Sequence, residues 1–523
     1  MTEFRPDQKI AVARAMHEFD TGVRLVLLDA PTGGGKTICG EAIRRLLGPG
    51  RTTYACTDHA LQAQLNRDFN YCYDLRGRAN YATLDYSDQF DLPWNDPERI
   101  TCDDCDFKEG ECSFCSPVDD CPYRIAKADA VEARLSSTNT SYLLAECNHL
   151  GPKSQLSGRN LIILDEADTV EQALWQFEEI SISPRMQQSL GLEPPERKTV
   201  VTAWAEWFAY AEPVVLAGLR QTNRETPRGA KRASRLARLL ERLRAVGPEV
   251  AEGRWVYDYS DDFIKFKPIR VDVIANDLLW RHANRWLCMS ATLLSREVFC
   301  DPLGWYERAA FIQMPSSFPP ERRPIRIVPV ADMAKKNRAE AWPRLVQALR
   351  GMMTDYPNER VLVHTVSFPL TRYLEEHLSS PRVMSYARGS ERTSTLDRFR
   401  QTDGAVLLAP SMNRGVDLPY RDCSVAVVTQ LPYPDLGDKQ VAARRFSPGG
   451  QTWYVAEMIR KVAQSVGRHH RAADDTSVTF VLDSRWQNVR RQWKQIIPRF
   501  VEEATVTTGD HARRWLGGGM STT

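Results

Sequence analysis

Three groups of residues in this chain have types and spacings suited to chemistry on a bound phosphate. The first is Ala30-Pro31-Thr32-Gly33-Gly34-Gly35-Lys36-Thr37. It lies between an apolar run, Arg24 to Leu28, that reads as a strand and a segment, Ile38 to Leu47, that reads as a helix. Glycines let the backbone wrap a phosphate with several N–H groups pointing inward, and the helix adds its positive N-terminal end. Lys36 can reach the β and γ phosphates, and the Thr37 hydroxyl can hold Mg²⁺. The strict form of this loop begins with Gly, whereas this chain has Ala30. A Gly-rich turn before Lys-Thr is the bland alternative, and the flanking strand and helix argue against it.

The second group is Asp165-Glu166-Ala167-Asp168, which ends the apolar run Leu161 to Leu164. A carboxylate at the end of a buried strand beside a phosphate loop can bind Mg²⁺ through water. Its neighbour can orient and deprotonate an attacking water. Asp165 is assigned to the metal and Glu166 to the water. The third group is Gln464-Ser465-Val466-Gly467-Arg468-His469-His470-Arg471. Two arginines three residues apart share one helix face, and across a cleft both can meet a γ-phosphate. In isolation, an acidic cluster is a solvated turn and an arginine pair is a solvated helix face; the three groups together carry the reading.

Five of twelve cysteines fall between Cys102 and Cys121. Their spacing, Cys102-x₂-Cys105-x₆-Cys112-x₂-Cys115-x₅-Cys121, contains two CxxC pairs and reads as a metal site. Four thiolates can hold a [4Fe–4S] cluster or a tetrahedral Zn²⁺, and spacing alone does not separate them. Cys39, Cys56 and Cys288 sit in apolar runs and read as core residues.

The elements that position these groups alternate between strand and helix. After the phosphate loop come a strand-like run, Thr52 to Cys56, and a helix near Leu61 to Phe69, a pattern that predicts a parallel α/β sheet. Residues 83–121 are rich in Asp, Cys and Pro and read as an inserted module. Residues 180–265 read as a second, mostly helical insertion, with Trp204, Trp207 and Phe208 in one amphipathic stretch and Lys231 to Arg244 in another. Between those two, Thr222 to Gly229 with Pro227 is expected to be a loop. The α/β pattern restarts with strand candidates Ile325 to Val330, Val361 to Thr365, Ala405 to Ala409, Ser424 to Thr429 and Ser477 to Leu482.

Length and charge bound the rest. A chain of 523 residues is too long for a single core. The 42% hydrophobic and 26% charged content is ordinary for a globular protein. A net charge of +2 means that any nucleic-acid surface must be a local groove. No apolar run is long enough for a bilayer and the start, MTEFRPDQ, is no secretory signal, so a cytosolic chain without membrane contact is expected.

With the three phosphate groups in this order, the chain resembles superfamily-two helicases, and more finely the XPD/DinG-like group. Phe4-Arg5-Pro6-Asp7-Gln8 looks like that group's adenine-contacting segment, with Gln8 as base reader. Thr57 to Leu65, Gly77 to Tyr81, Ser290-Ala291-Thr292 and Ser316-Ser317-Phe318-Pro319 match further family segments. Arg414-Gly415-Val416-Asp417-Leu418-Pro419 resembles its nucleotide-side motif, although an acidic residue is commoner at Arg414.

The resemblance implies ATP and Mg²⁺ as ligands. Phe4, Arg5, Gln8, Thr32, Gly33, Gly34, Gly35, Lys36 and Thr37 would lie on one wall, and Gly415, Asp417, Gln464, Arg468 and Arg471 on the other. It favours a [4Fe–4S] cluster over zinc. Thr83 stands where the family has its first cysteine ligand, so four of the five clustered cysteines must serve. The implied fold is α/β: two RecA-like parallel-sheet motor domains with an inserted iron–sulfur domain and an inserted helical arch.

The expected boundaries are 1–76, 136–180 and 267–315 for motor domain one, 77–135 for the cluster domain, 181–266 for the arch, and 316–515 for motor domain two, with 516–523 a disordered tail. The short arch resembles compact, phage-encoded members. The implied activity is ATP-dependent 5′ to 3′ movement on single-stranded DNA with unwinding of forked DNA, by a monomer. The rival reading is a translocase that displaces proteins without robust unwinding. Nucleic acid is expected across the top of both domains, with His59, His364, Thr365 and Ser411 as candidate contacts.

Overall fold

Short apolar runs buried on both sides form the centre of each half of the molecule. The computed structural model describes residues 3–84, 101–103, 120–149, 154–223, 227–260, 262–386, 391–410, 422–467, 475–507 and 509–516. A first, seven-stranded sheet has the order Ala309–Gln313, Leu25–Asp29, Ala283–Ser290, Arg159–Asp165, Thr52–Cys56, Leu135–Asn139, Tyr73–Asp74. Every pairing in it is parallel. Successive side chains point to opposite faces of a sheet, and both faces here are covered. Leu25, Leu27, Ile162 and Leu164 therefore join one core, while Val26, Leu28, Leu161 and Ile163 join the core on the other side.

The second sheet also has seven strands, in the order Val383–Ser385, Val406–Ala409, Val361–His364, Val425–Val428, Val478–Asp483, Ile325–Ala331, Thr505–Thr507. Its pairings are again all parallel. Val361 and Val363 pack into one core and Leu362 into another. The two parallel α/β domains foreseen from the strand pattern are thus both present. In each, the strand ends that carry chemistry point the same way, because parallel strands align their C-terminal ends.

The residues between Glu179 and Pro268 form a separate unit with its own core of Trp204, Trp207, Phe208, Leu236, Leu240, Leu243 and Phe266. Its two long helices are Val201–Gln221 and Pro227–Ala251. The mostly helical expectation misses a three-stranded antiparallel sheet, Ile180–Ile182, Phe263–Pro268 and Trp255–Ser260. Phe263–Pro268 alternates half-buried and buried residues, the pattern of a strand with one wet face. The loop expected over Thr222 to Gly229 is also corrected, since the second helix already begins at Pro227. Proline is tolerated in a helix's first turn, where its missing N–H has no partner to lose. Much of the expected cysteine module, with Cys105, Cys112 and Cys115, lies outside the described residues, as do residues 517–523 of the expected tail.

Candidate active site

The phosphate loop leaves the first sheet at Asp29 and enters the helix Lys36–Leu46. Gly33 and Gly35 have φ of 77° and 80°, the left-handed region that side chains disfavour. Both positions are also crowded. A Cβ on Gly35 would lie 2.3 Å from Gln8 Nε2, and one on Gly33 would lie 2.9 Å from the Phe318 ring.

Gln8 is buried. Its Nε2 donates to the Gly34 carbonyl at 3.0 Å and its Oε1 accepts from Arg5 N at 3.0 Å. The Arg5 guanidinium donates to the Gly33 carbonyl at 3.0 Å and to Ser317 Oγ at 2.6 Å. The segment assigned by resemblance to the base therefore braces the loop backbone. Phe4 lines an apolar cavity of about 620 Å³ with Val12, Ile38, Ala42 and Phe69.

The acidic group closes on the loop. Lys36 Nζ donates to Glu166 Oε1 at 2.9 Å. Burial opposes the charge on Lys36, but Glu166 and Asp165 outweigh it and raise its pKa, so the amine stays protonated. Burial pushes the Asp165 carboxyl up against the opposing pull of Lys36. The Tyr54 hydroxyl donates to Asp165 Oδ2 at 3.0 Å and also contacts Thr37.

Thr37 and Asp165, the two residues expected to hold Mg²⁺, thus share one tyrosine. Their hydroxyl and carboxylate oxygens are the hard donors that this ion takes. Tyr54 was not singled out in the sequence, where it is one more large residue in an apolar strand. Glu166 has φ of 50°, a strained conformation for a residue with a side chain, and such strain gathers at functional sites.

Asp168 joins three distant segments. It accepts from Ser290 Oγ at 2.7 Å, Thr292 Oγ1 at 2.9 Å and Gln464 Nε2 at 3.2 Å. Gln464 lies on the helix Gly450–Val466 of the second domain, so the acidic tetrad reaches across the domain boundary. One turn earlier, buried Arg460 donates from Nε to the Thr292 carbonyl at 3.3 Å. Nearby, buried Arg444 and Glu171 pair at 3.2 Å, and the Trp175 and Trp453 rings meet edge-on at 5.6 Å. Burial pushes Glu171 up to about 7 despite Arg444. A cavity of about 820 Å³ opens beside this hub, with Trp175, Lys267, Tyr433 and Trp453 in its wall. Arg460, Arg444 and Glu171 escaped the sequence reading because only the folded chain brings them together.

Residues 352–504 match the helicase C-terminal domain family. The Xpd4 structure from S. tokodaii superposes with a TM-score of 0.62 over 97% of this chain and 100% of its own, at 14% identity. A second solved XPD helicase gives 0.63 over 97% and 100%, at 16% identity. The chain has the fold of these XPD helicases, two RecA-like domains, and its residues 352–504 resemble a helicase C-terminal domain.

Curated relatives match more locally. The regulator of telomere elongation helicase 1 homolog of Drosophila persimilis is 32% identical over 120 residues, covering 19% of this chain and 12% of the relative. The homolog from Drosophila willistoni is 27% identical over 158 residues, covering 26% and 16%. The chain spans less than a fifth of the length of these relatives.

Several residues expected in an XPD/DinG-like site lie outside the described residues: Gly415, Asp417, Arg468, Arg471 and Ser411. Gly467, just before the arginine pair, is described, and a Cβ on it would lie 3.8 Å from Thr32 Oγ1 of the phosphate loop. Cys102 and Cys121 are buried in the same core beside Tyr123. Among the described residues, no group of three or more His, Cys, Asp or Glu is disposed to hold a metal ion. His59 starts the helix His59–Asp68, with Nδ1 3.3 Å from Gln62 Oε1. His364, which ends the strand Val361–His364, and Thr365 after it are buried. Among the described residues, no helix is long and apolar enough to cross a membrane.

Proposed function

We propose that this chain couples ATP hydrolysis to 5′ to 3′ movement along single-stranded DNA and to unwinding of forked duplexes. The observation that carries the reading is the contact chain Lys36–Glu166 and Asp168–Gln464, at 2.9 and 3.2 Å, which links the phosphate loop, the acidic tetrad and the second domain. A group that hydrolyses only when both domains are in place ties chemistry to domain movement.

Phosphoryl transfer is catalysed mainly by positioning and charge. Lys36 holds the β and γ phosphates. Thr37 and Asp165 supply the oxygens for Mg²⁺, which neutralises developing charge when bound. Glu166 orients the attacking water and takes its proton. Arg468 and Arg471 are assigned to the γ-phosphate, a role worth about 10³–10⁵ in rate. Phe4, Arg5 and Gln8 form the base side of the site, and Gly415 and Asp417 belong to the facing wall.

Four of Cys102, Cys105, Cys112, Cys115 and Cys121 hold a [4Fe–4S] cluster in this reading. The soft thiolate donor set fits it, and fits Zn²⁺ as well. About four irons per chain in protein purified without oxygen is the expected assay, and about one zinc would assign the site to zinc instead.

The test of function is strand displacement from a duplex with a single-stranded 5′ tail and from its 3′-tailed counterpart. The 5′-tailed substrate should be opened with ATP and the 3′-tailed one left intact. Opening of the 3′-tailed substrate alone would reverse the polarity. ATP-dependent movement with neither opened would make the chain a translocase.

A further inference from the structure

We infer that Phe318 is a positioning residue through which the second domain sets the conformation of the phosphate loop. The inference rests on the proposed function, because it assigns a route by which domain movement reaches the nucleotide. Phe318 is buried, and its ring edge lies 2.9 Å from where a Cβ of Gly33 would be. Gly33 thus serves both its left-handed backbone and this close approach. The ring is a direct contact between the loop and the segment that enters the second sheet.

That segment is tied to the second domain and moves with it. Arg323, itself buried, donates from Nε to the Phe318 carbonyl at 2.9 Å. The same guanidinium donates to the Phe500 carbonyl in the helix Arg499–Ala504, and lies 3.8 Å from Glu503 of that helix. Ser317, the neighbour of Phe318, accepts from Arg5, which also bonds the Gly33 carbonyl.

The gap between the domains here is about 20 Å³, bordered by Thr32 on one side and by Phe318, Gly467 and Phe500 on the other. A space of that size admits little more than one water. Displacement of the helix Arg499–Ala504 is carried through Arg323 to Phe318 and from its ring to the loop. Packed interfaces of this kind switch between arrangements and do not deform smoothly.

Loop geometry is where such a lever acts on rate, since a misplacement of about 1 Å can cost about 100-fold. The test uses the full chain, with ATP hydrolysis titrated with a dT oligonucleotide and binding of a fluorescent ADP measured alongside. Phe318→Ala should lower kcat at saturating oligonucleotide at least about tenfold, while KM for ATP and ADP affinity stay within about threefold. Phe318→Leu, which keeps most of the contact, should stay within about threefold of the parent.

Arg323→Gln leaves the ring but frees its backbone, and should lower stimulated kcat in the same direction. If Phe318→Ala does not fold, Arg323→Gln decides, with Phe318→Leu as the folded control. Stimulated kcat unchanged in the Phe318→Ala and Arg323→Gln chains overturns the inference and leaves the proposed function standing. So does a proportional loss of kcat and ADP affinity, which marks a loop that has merely collapsed. A parent chain whose hydrolysis does not respond to the oligonucleotide removes the proposed function, and the inference falls with it.

Discussion

Glu166 is placed by a backbone conformation and a contact that its type alone does not predict. It sits in a left-handed backbone conformation and accepts from Lys36. Glu166→Gln keeps the shape and removes the base. Hydrolysis should fall about 10²–10⁴-fold while ATP binding persists, measured by steady-state turnover beside equilibrium binding.

Asp29 offers a second test at this scale. Burial pushes its carboxyl up to about 7, with Lys36 pulling it down and Asp168 pushing it up. It accepts from Leu293 N and from Gln313 Nε2, each at 3.2 Å. A carboxyl raised above its unfolded value contributes stability that is full below that unfolded value and lost as pH rises through about 7. Asp29→Asn does not titrate, so its stability relative to the parent should improve between pH 5 and pH 8, read by denaturant midpoints. An unchanged difference would remove Asp29 as the titrating group. Lys36, Asp165, Glu166 and Gln464 were legible in the sequence because their spacing to strand or helix ends is local. Tyr54 and Arg460 were not, nor was the contact of Phe318 with Gly33, since the partners lie more than 100 residues away.

At the scale of elements, the main strands were legible because parallel strands buried on both faces read as continuous apolar runs. The three-stranded sheet near Phe266 was hidden, because Ile180–Ile182 is short and lies far in sequence from its partner Phe263–Pro268, a strand that is only half-buried. The start of the second long helix of this unit was hidden by Pro227, which reads as a loop residue unless its first-turn tolerance is considered.

The separate core of this unit yields a prediction. Trp204 is fully buried against Trp207, Tyr257 and Phe266. Trp204→Ala should cost about 3–5 kcal/mol within that unit. Because this core is distinct from the sheet cores, ATP hydrolysis should persist while unwinding falls. The check is thermal melting run beside both activity assays. Equal loss of hydrolysis would mean that the unit and the motor domains unfold together.

Across the whole molecule, the contacts between domains among the described residues include Asp168 with Gln464, Thr292 with Arg460, Glu171 with Arg444, and Gly33 with Phe318. Each pairs a residue near the nucleotide-bearing strand ends with one in the second domain. This is the arrangement expected of a machine whose hydrolysis depends on how its domains meet, and the sequence foreshadowed it only through the order of its motifs. Cys105, Cys112, Cys115, Arg468 and Arg471 rest on pattern and resemblance.

The central claim is most directly tested by steady-state ATP hydrolysis with and without a single-stranded dT oligonucleotide, in the parent chain and in Lys36→Ala. Turnover that rises severalfold with the oligonucleotide and vanishes in Lys36→Ala is the predicted result. Turnover that ignores the oligonucleotide, or that survives loss of Lys36, would contradict the account.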